Sequence, residues 1–155
     1  MTIAPKIEVG SQHAAMPYLV DRFRELFNTL DKGNLNKLAG VYDEHVHFKD
    51  PLGEAHGLDE LTRYFSGSYQ NVIACHFVFA QEVVDRSTVT LPWIMHLRHK
   101  RINSGREIQV EGISHLHIGE GKVHYHRDYF DAGQLLYENL PLLGGIIRKI
   151  KEHAG

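Results

Sequence analysis

Apolar residues recur at spacings of three and four along an early stretch of the chain, placing Leu19, Phe23, Leu26, Phe27 and Leu30 on one side of a helix. Pro17 fits the first turn of that helix, where its missing N–H costs nothing. Residues 1–14 carry no sustained period and are expected as a loose arm, leaving 15–155 as a single domain. Gly33-Asn34 breaks the helix, and Asn34 is placed to cap a short second one carrying Leu35 and Leu38. The chain then extends through HVHFKDPLG until Asp50-Pro51 ends the strand. A third helix is predicted over 58–66, with Leu58, Leu61, Tyr64 and Phe65 on one face.

From residue 74 the period changes: β-branched and aromatic residues dominate, and turn signals fall at Asp85-Arg86-Ser87, Asn103-Ser104-Gly105 and Gly119-Glu120-Gly121. Four antiparallel strands follow, over 74–84, 88–101, 107–118 and 122–130. The last segment starts as a helix with Leu135, Leu136 and Leu140, is interrupted at Pro141 and Gly144-Gly145, and resumes in a basic tail. It is expected as a bent terminal helix packed on the sheet, with contact to a membrane surface as the alternative for its amphipathic pattern. Helices first and long strands after define an α+β class: N-terminal helices on one face of a mainly antiparallel sheet, with a C-terminal helix.

The Gly119-Glu120-Gly121 turn sets a trial register in which Ile118 faces Lys122, Ser114 faces His126 and Gly112 faces Asp128. Strand side chains alternate, so His124, His126, Asp128 and Phe130 share a face with Val110, Gly112, Ser114, Leu116 and Ile118. That mostly apolar row marks the inner side, and Asp128 is expected to point inward opposite a glycine that leaves room for a ligand or a water. His115, His117, Tyr125 and His96 go to the outer face with Ile113 and Val123, a mixed surface suited to a second subunit. The split separates His115 and His117 from His124 and His126, so a four-histidine metal site is geometrically poor and no metal is expected.

Composition narrows the classes further. A chain of 155 residues with 43% hydrophobic and 23% charged content can bury a proper core, and a net charge of −2 lacks the basic excess that nucleic-acid binding needs. Cys75, the single cysteine, cannot form an internal disulfide; it reads as a buried small hydrophobe in a reducing, cytoplasmic setting. No apolar run reaches the roughly 18 residues of a transmembrane segment, and the N-terminus lacks a signal-peptide pattern. Neither a dinucleotide-binding fingerprint nor a phosphate loop is present, so no cofactor is expected.

Short helices followed by a long meander, with FKDPLG between them and GKVHYHRDYFDAG closing it, resemble the nuclear transport factor 2-like superfamily over about residues 17–145. That superfamily includes ketosteroid isomerase, limonene-epoxide hydrolase and SnoaL-type polyketide cyclases. The resemblance implies a cone-shaped fold whose strongly curved sheet wraps an apolar pocket, and a homodimer formed through the outer sheet face. GKVHYHRDYFD is similar to the closing strand of limonene-epoxide hydrolase, G-K-x-x-x-W-R-D-Y-F-D, which puts Asp128 at the carboxylate that activates water. The hydrolase's Arg-x-Asp pair falls on Trp93 and Met95, and those two supply apolar walls instead. FKDPLG is similar to the stretch bearing the base of ketosteroid isomerase, which puts Asp50 at that base. The isomerase's two oxyanion donors fall on Leu26 and Ser114.

Together these readings name Asp128, His126 and Asp50 as candidate catalytic residues, with Ser114, Trp93, Met95, Phe130 and Leu26 lining a site for a small hydrophobic molecule. One carboxylate in an apolar cone can work as a proton-transfer base, and two in different environments can divide acid and base roles. The expected function is cofactor-free isomerase, cyclase or hydrolase chemistry. The alternative is a non-catalytic ligand-binding or dimerisation domain on the same scaffold.

Overall fold

The computed structural model describes residues 10–139 and 143–154. Helix α1 spans Gly10–Thr29, β1 Tyr42–Lys49, β2 Glu54–His56, α2 Leu58–Tyr69, β3 Val72–Phe79 and β4 Val83–Asp85. They are followed by β5 Thr88–His99, β6 Ile108–Gly119, β7 Lys122–Phe130, α3 Ala132–Leu135 and α4 Leu143–Ala154. The strands form one sheet in the order β2-β1-β7-β6-β5-β3, with β4 also on β5; every pairing is antiparallel except β1 with β7. The result is a cone of helices packed on a curved, mainly antiparallel sheet. Among the described residues, no helix is long and apolar enough to cross a membrane.

The predicted face of α1 is the buried one: Leu19, Val20, Phe23, Leu26, Phe27 and Leu30 join Leu61 and Phe65 of α2 and Val46, Phe48, Val89, Leu91 and Leu116 of the sheet in the main core. Several local readings change. Pro17 lies inside α1 rather than in its first turn, because the helix already begins at Gly10, within the stretch expected as an arm. Asn34 makes no side-chain cap to the following 3₁₀ turn. Its Oδ1 instead accepts from Asp31 N at 2.7 Å and its Nδ2 donates to the Thr29 carbonyl at 2.6 Å, closing the end of α1. The strand expected over 74–84 is two, β3 and β4, and β2 is an additional three-residue strand paired with β1.

The β6–β7 ladder starts from Gly119 opposite Lys122 and shifts between His117 and Ile118, after which His117 faces Tyr125, Leu116 faces His126, Ser114 faces Asp128 and Gly112 faces Phe130. The slip relative to the trial register is two residues, and side chains alternate with a period of two, so Asp128 and His126 keep the inward direction while their partners change. At the irregularity Val123 turns into the core and His124 moves away from it, with its Nε2 at 2.9 Å from the Gly119 carbonyl. Val123 therefore leaves the predicted outer set, and His124 the inner one. Asp131 caps α3 by accepting from Gly133 N and Gln134 N.

The terminal segment departs from expectation as well. Helix α3 packs on β6, whereas α4 lies against the Tyr137–Asn139 turn, with Leu143, Ile146 and Ile150 exposed, rather than covering the sheet. Leu140 and Pro141 fall outside the described residues.

Candidate active site

Inside the cone, the concave face of the sheet and the helices α1, α2 and α3 enclose a cavity of about 290 Å³. Its walls are aromatic, including Phe23, Phe27, Phe48, Phe65, Phe77 and Phe79, with Asp128, His126, Ser114, Asp50 and Tyr64 as polar points. Among the described residues, no lysine or arginine lines it.

A directed chain of hydrogen bonds converges on Asp128. Indole Nε1–H of Trp93 can only donate, and it donates to Ser114 Oγ at 2.9 Å. The Ser114 hydroxyl in turn donates a hydrogen bond to Asp128 Oδ1 at 2.6 Å, across the β6–β7 ladder where the two residues are register partners. From the other side His126 Nε2 meets the same Oδ1 at 2.6 Å. Its Nδ1 lies 2.7 Å from the Tyr42 hydroxyl, which has one hydrogen bond to donate; with Nδ1 accepting it, the imidazole hydrogen sits on Nε2 and Nε2–H donates to the carboxylate. His126 is 1% exposed and held edge-on by Phe23, Phe27 and Phe48 at centroid distances of 5.3, 6.0 and 5.0 Å, so its orientation is fixed by packing as well. Burial and the nearby Asp128 charge push the Tyr42 phenol well above its ordinary range, which keeps the proton this arrangement requires. Asp128 retains 18% exposure of its side chain, and no described residue donates to its Oδ2.

Asp50 occupies a second polar point on the cavity wall. Its Oδ1 accepts from Leu52 N at 2.7 Å and Gly53 N at 2.9 Å, closing the turn between β1 and β2. The Tyr64 hydroxyl reaches both carboxylate oxygens, at 2.8 and 2.7 Å. A Cβ at Gly53 would lie 2.6 Å from Tyr64 Cε2, so only glycine lets the ring close over the turn. Burial, the hydrogen bond to Asp50 and the Asp50 and Asp128 charges all raise the Tyr64 phenol above its ordinary range.

The structure thus brings Asp128, His126, Ser114, Trp93, Met95, Phe130 and Asp50 around one cavity. Leu26 is buried in the core, while Phe23 and Phe27 of the same helix hold the cavity wall. Gly112 does not leave room beside Asp128. It sits under the Trp93 indole, where a Cβ would come within 2.2 Å of ring carbon. Sequence reasoning missed Tyr42, which is 84 residues from His126, and it read Tyr64 only as part of an apolar helix face. The signal it could have used is the hydroxyl: a tyrosine on a buried face needs a polar partner.

Cys75 is partly buried and lines the cavity next to Tyr69. Burial pushes its thiol up to about 12, only partly offset by a hydrogen bond from Tyr69. The Tyr42, Tyr64 and Tyr69 phenols are raised as well, each mainly by burial. All four groups hold their protons more tightly folded than unfolded. Their contribution is present in full well below about pH 8.5, the midpoint at which the unfolded thiol ionises, and is lost as pH rises from there toward the folded values. We expect the melting temperature to fall between about pH 8 and about pH 10.5, by less in Tyr69→Phe, as measured by circular dichroism. Iodoacetamide is expected to alkylate Cys75 slowly at neutral pH until the protein unfolds.

An α+β cone of helices on a curved sheet, matched by the family model and by the folds of solved structures, places the chain in the nuclear transport factor 2-like superfamily. More narrowly, residues 23–126 match the model of the SnoaL-like domain, and the chain belongs to that family. The fold family includes cyclases, isomerases and epoxide hydrolases. The chain is similar to a protein of ketosteroid isomerase-like fold from Catenulispora acidiphila, solved in complex with trimethylamine: 13% identity, TM-score 0.70, covering 79% of this chain and 92% of that one. It is similar to an epoxide hydrolase of limonene-epoxide hydrolase-like type from M. tuberculosis, at 12% identity and TM-score 0.65 over 88% of this chain and 97% of that one. TsrD from Streptomyces laurentii gives 18% identity and TM-score 0.67 over 84% and 97%. At these identities the likeness is one of fold. A search of curated proteins gives no match.

Proposed function

We propose that the chain is a cofactor-independent enzyme in which Asp128 acts as the general base on a small hydrophobic substrate, removing a proton from carbon or from an attacking water. The observation that carries this reading is the asymmetry of the carboxylate: Ser114 and His126 both bind Oδ1, and Oδ2 has no donor among the described residues. The two bonds fix the carboxylate and leave one oxygen to take a proton. His126 is then a positioning residue with both ring nitrogens engaged, and Ser114 serves Asp128 rather than the substrate. Asp50 and Tyr64 form the second acid-base pair on the cavity wall, while Trp93, Met95 and Phe130 hold the apolar body of the substrate. A single unpaired cysteine fits a cytoplasmic enzyme.

A second reading, a ligand-binding domain without chemistry, is supported by the hydroxyl protons: those of Ser114 and Tyr64 are committed to carboxylates, so neither is free for an oxyanion. A turnover screen with epoxides, enones and polyketide-like esters separates the two. Turnover by wild type that Asp128→Asn loses supports the enzyme; ligand binding by both proteins with turnover by neither supports the binding domain.

The homodimer belongs to the same reading. On the outer sheet face Val78, Ile94, Ile113 and Tyr129 are 51, 37, 40 and 54% exposed and border a shallow groove with Pro92. A contiguous apolar patch of this kind favours a second copy. Ile113→Asp is expected to convert a dimer to a monomer in light scattering without loss of helix and sheet signal, and a monomeric wild type at high concentration would remove the dimer.

A further inference from the structure

Outside the cavity, three metal-ligating side chains meet on the outer sheet face at its β2 edge. His47 and His56 are register partners across the β1–β2 ladder, so they leave the sheet side by side. Glu54, two residues before His56 on the same strand, shares that face. Its Oε1 lies 2.5 Å from His47 Nε2 and 3.3 Å from His56 Nε2, and one ligand atom from each residue falls within 4.8 Å of the others. The imidazoles stack at 4.4 Å, and the Tyr125 ring stands edge-on to His47 at 5.4 Å.

A carboxylate shared by two histidines is in part a hydrogen-bonded cluster, and the His47 bond together with Lys49 and His56 holds the Glu54 carboxyl below its usual range. Yet two aromatic nitrogens and a carboxylate oxygen converging from two paired strands are also the donor set of a borderline divalent ion. Bonds of about 2.0–2.2 Å in a tetrahedron place neighbouring ligand atoms about 3.3–3.6 Å apart, against 2.5 and 3.3 Å from Glu54 Oε1 to the two imidazoles here. We propose that His47, Glu54 and His56 bind a divalent transition-metal ion, of which Zn²⁺ is the first choice, with the remaining position open to water. The two nitrogens select against Mg²⁺ and Ca²⁺, which take oxygen ligands. Lys49, the register partner of Glu54, brings a positive charge to this edge that works against cation binding. This site is separate from the histidine-rich hairpin, where His115 and His117 meet at 3.2 Å but gain no third ligand among the described residues.

The bound ion would clip the three-residue β2 to β1, on either side of the turn whose Asp50 lines the cavity. The test is calorimetric titration of zinc chloride into the untagged full chain, with thermal melts alongside. We expect one equivalent of Zn²⁺ bound, a higher melting temperature with Zn²⁺ but not with Mg²⁺, and at least about a tenfold loss of affinity in His47→Ala and in His56→Ala. The double variant His115→Ala/His117→Ala should bind as wild type does. His56 is exposed, so its variant is expected to fold, as circular dichroism will check. Absence of zinc uptake by wild type, or equal binding by wild type and His56→Ala, would overturn the proposal, as would loss of binding confined to the His115/His117 variant.

Discussion

Asp128→Asn is expected to lower turnover by about 10²- to 10⁴-fold, the usual contribution of a positioned general base, while leaving the fold in place. The asparagine carbonyl can still accept from the Ser114 hydroxyl and His126 Nε2, both of which bind Oδ1 alone at 2.6 Å. What changes is the other terminus, where an amide that donates replaces an oxygen that accepts. Two charge-assisted bonds also become neutral ones, and the stability cost is expected to be about 1 kcal/mol. A ligand that fills the aromatic cavity should bind both proteins with similar affinity, so the loss should sit in kcat rather than KM. Unchanged kcat in the variant would remove Asp128 as the base and shift attention to Asp50, whose four contacts from Leu52, Gly53 and Tyr64 make it the less free carboxylate.

The inward direction of Asp128 was legible because side-chain parity survives a register error of two. Its neighbours were not, since the irregularity between His117 and Ile118 has no signature in the spacing, and β7 also pairs with β1. That parallel pairing joins segments some 80 residues apart and leaves no local signal. The same distance hid Tyr42, and a short hairpin hid β2, whose three residues are too few to show alternation. By contrast the apolar face of α1 and the long strands β5, β6 and β7 were plain in the spacing alone, whereas the stretch expected as one strand over 74–84 is β3 and a short exposed β4.

The cavity therefore depends on long-range fits that the sequence only hints at, and Gly112 is the sharpest of them. The residue is the register partner of Trp93 across β5 and β6, and a Cβ built there would come within 2.2, 2.4 and 2.7 Å of three atoms of the indole ring. Gly112→Ala must displace the ring, and the ring carries the Nε1–H bound to Ser114 Oγ at 2.9 Å. Overpacking alone costs about 1–3 kcal/mol, and a buried N–H left without its acceptor costs a similar amount. In a chain of 155 residues this translates to a fall of roughly 2–4 °C in melting temperature for each kcal/mol. Trp93 is the only tryptophan in the sequence and 5% exposed, so its fluorescence reports the displacement directly; a red shift is expected in the variant. Gly67→Ala is the matched control: it lies in α2, and beyond its own helix backbone and chain neighbours nothing stands within 4 Å of the new methyl group, so it should stabilise the helix by about 0.4–1 kcal/mol. Should Gly112→Ala instead melt and emit like wild type, the indole would not be packed over the glycine. The hydrogen-bond chain from Trp93 through Ser114 to Asp128 would then lose its first link, and the fixed orientation of the carboxylate would rest on His126 and Tyr42 alone.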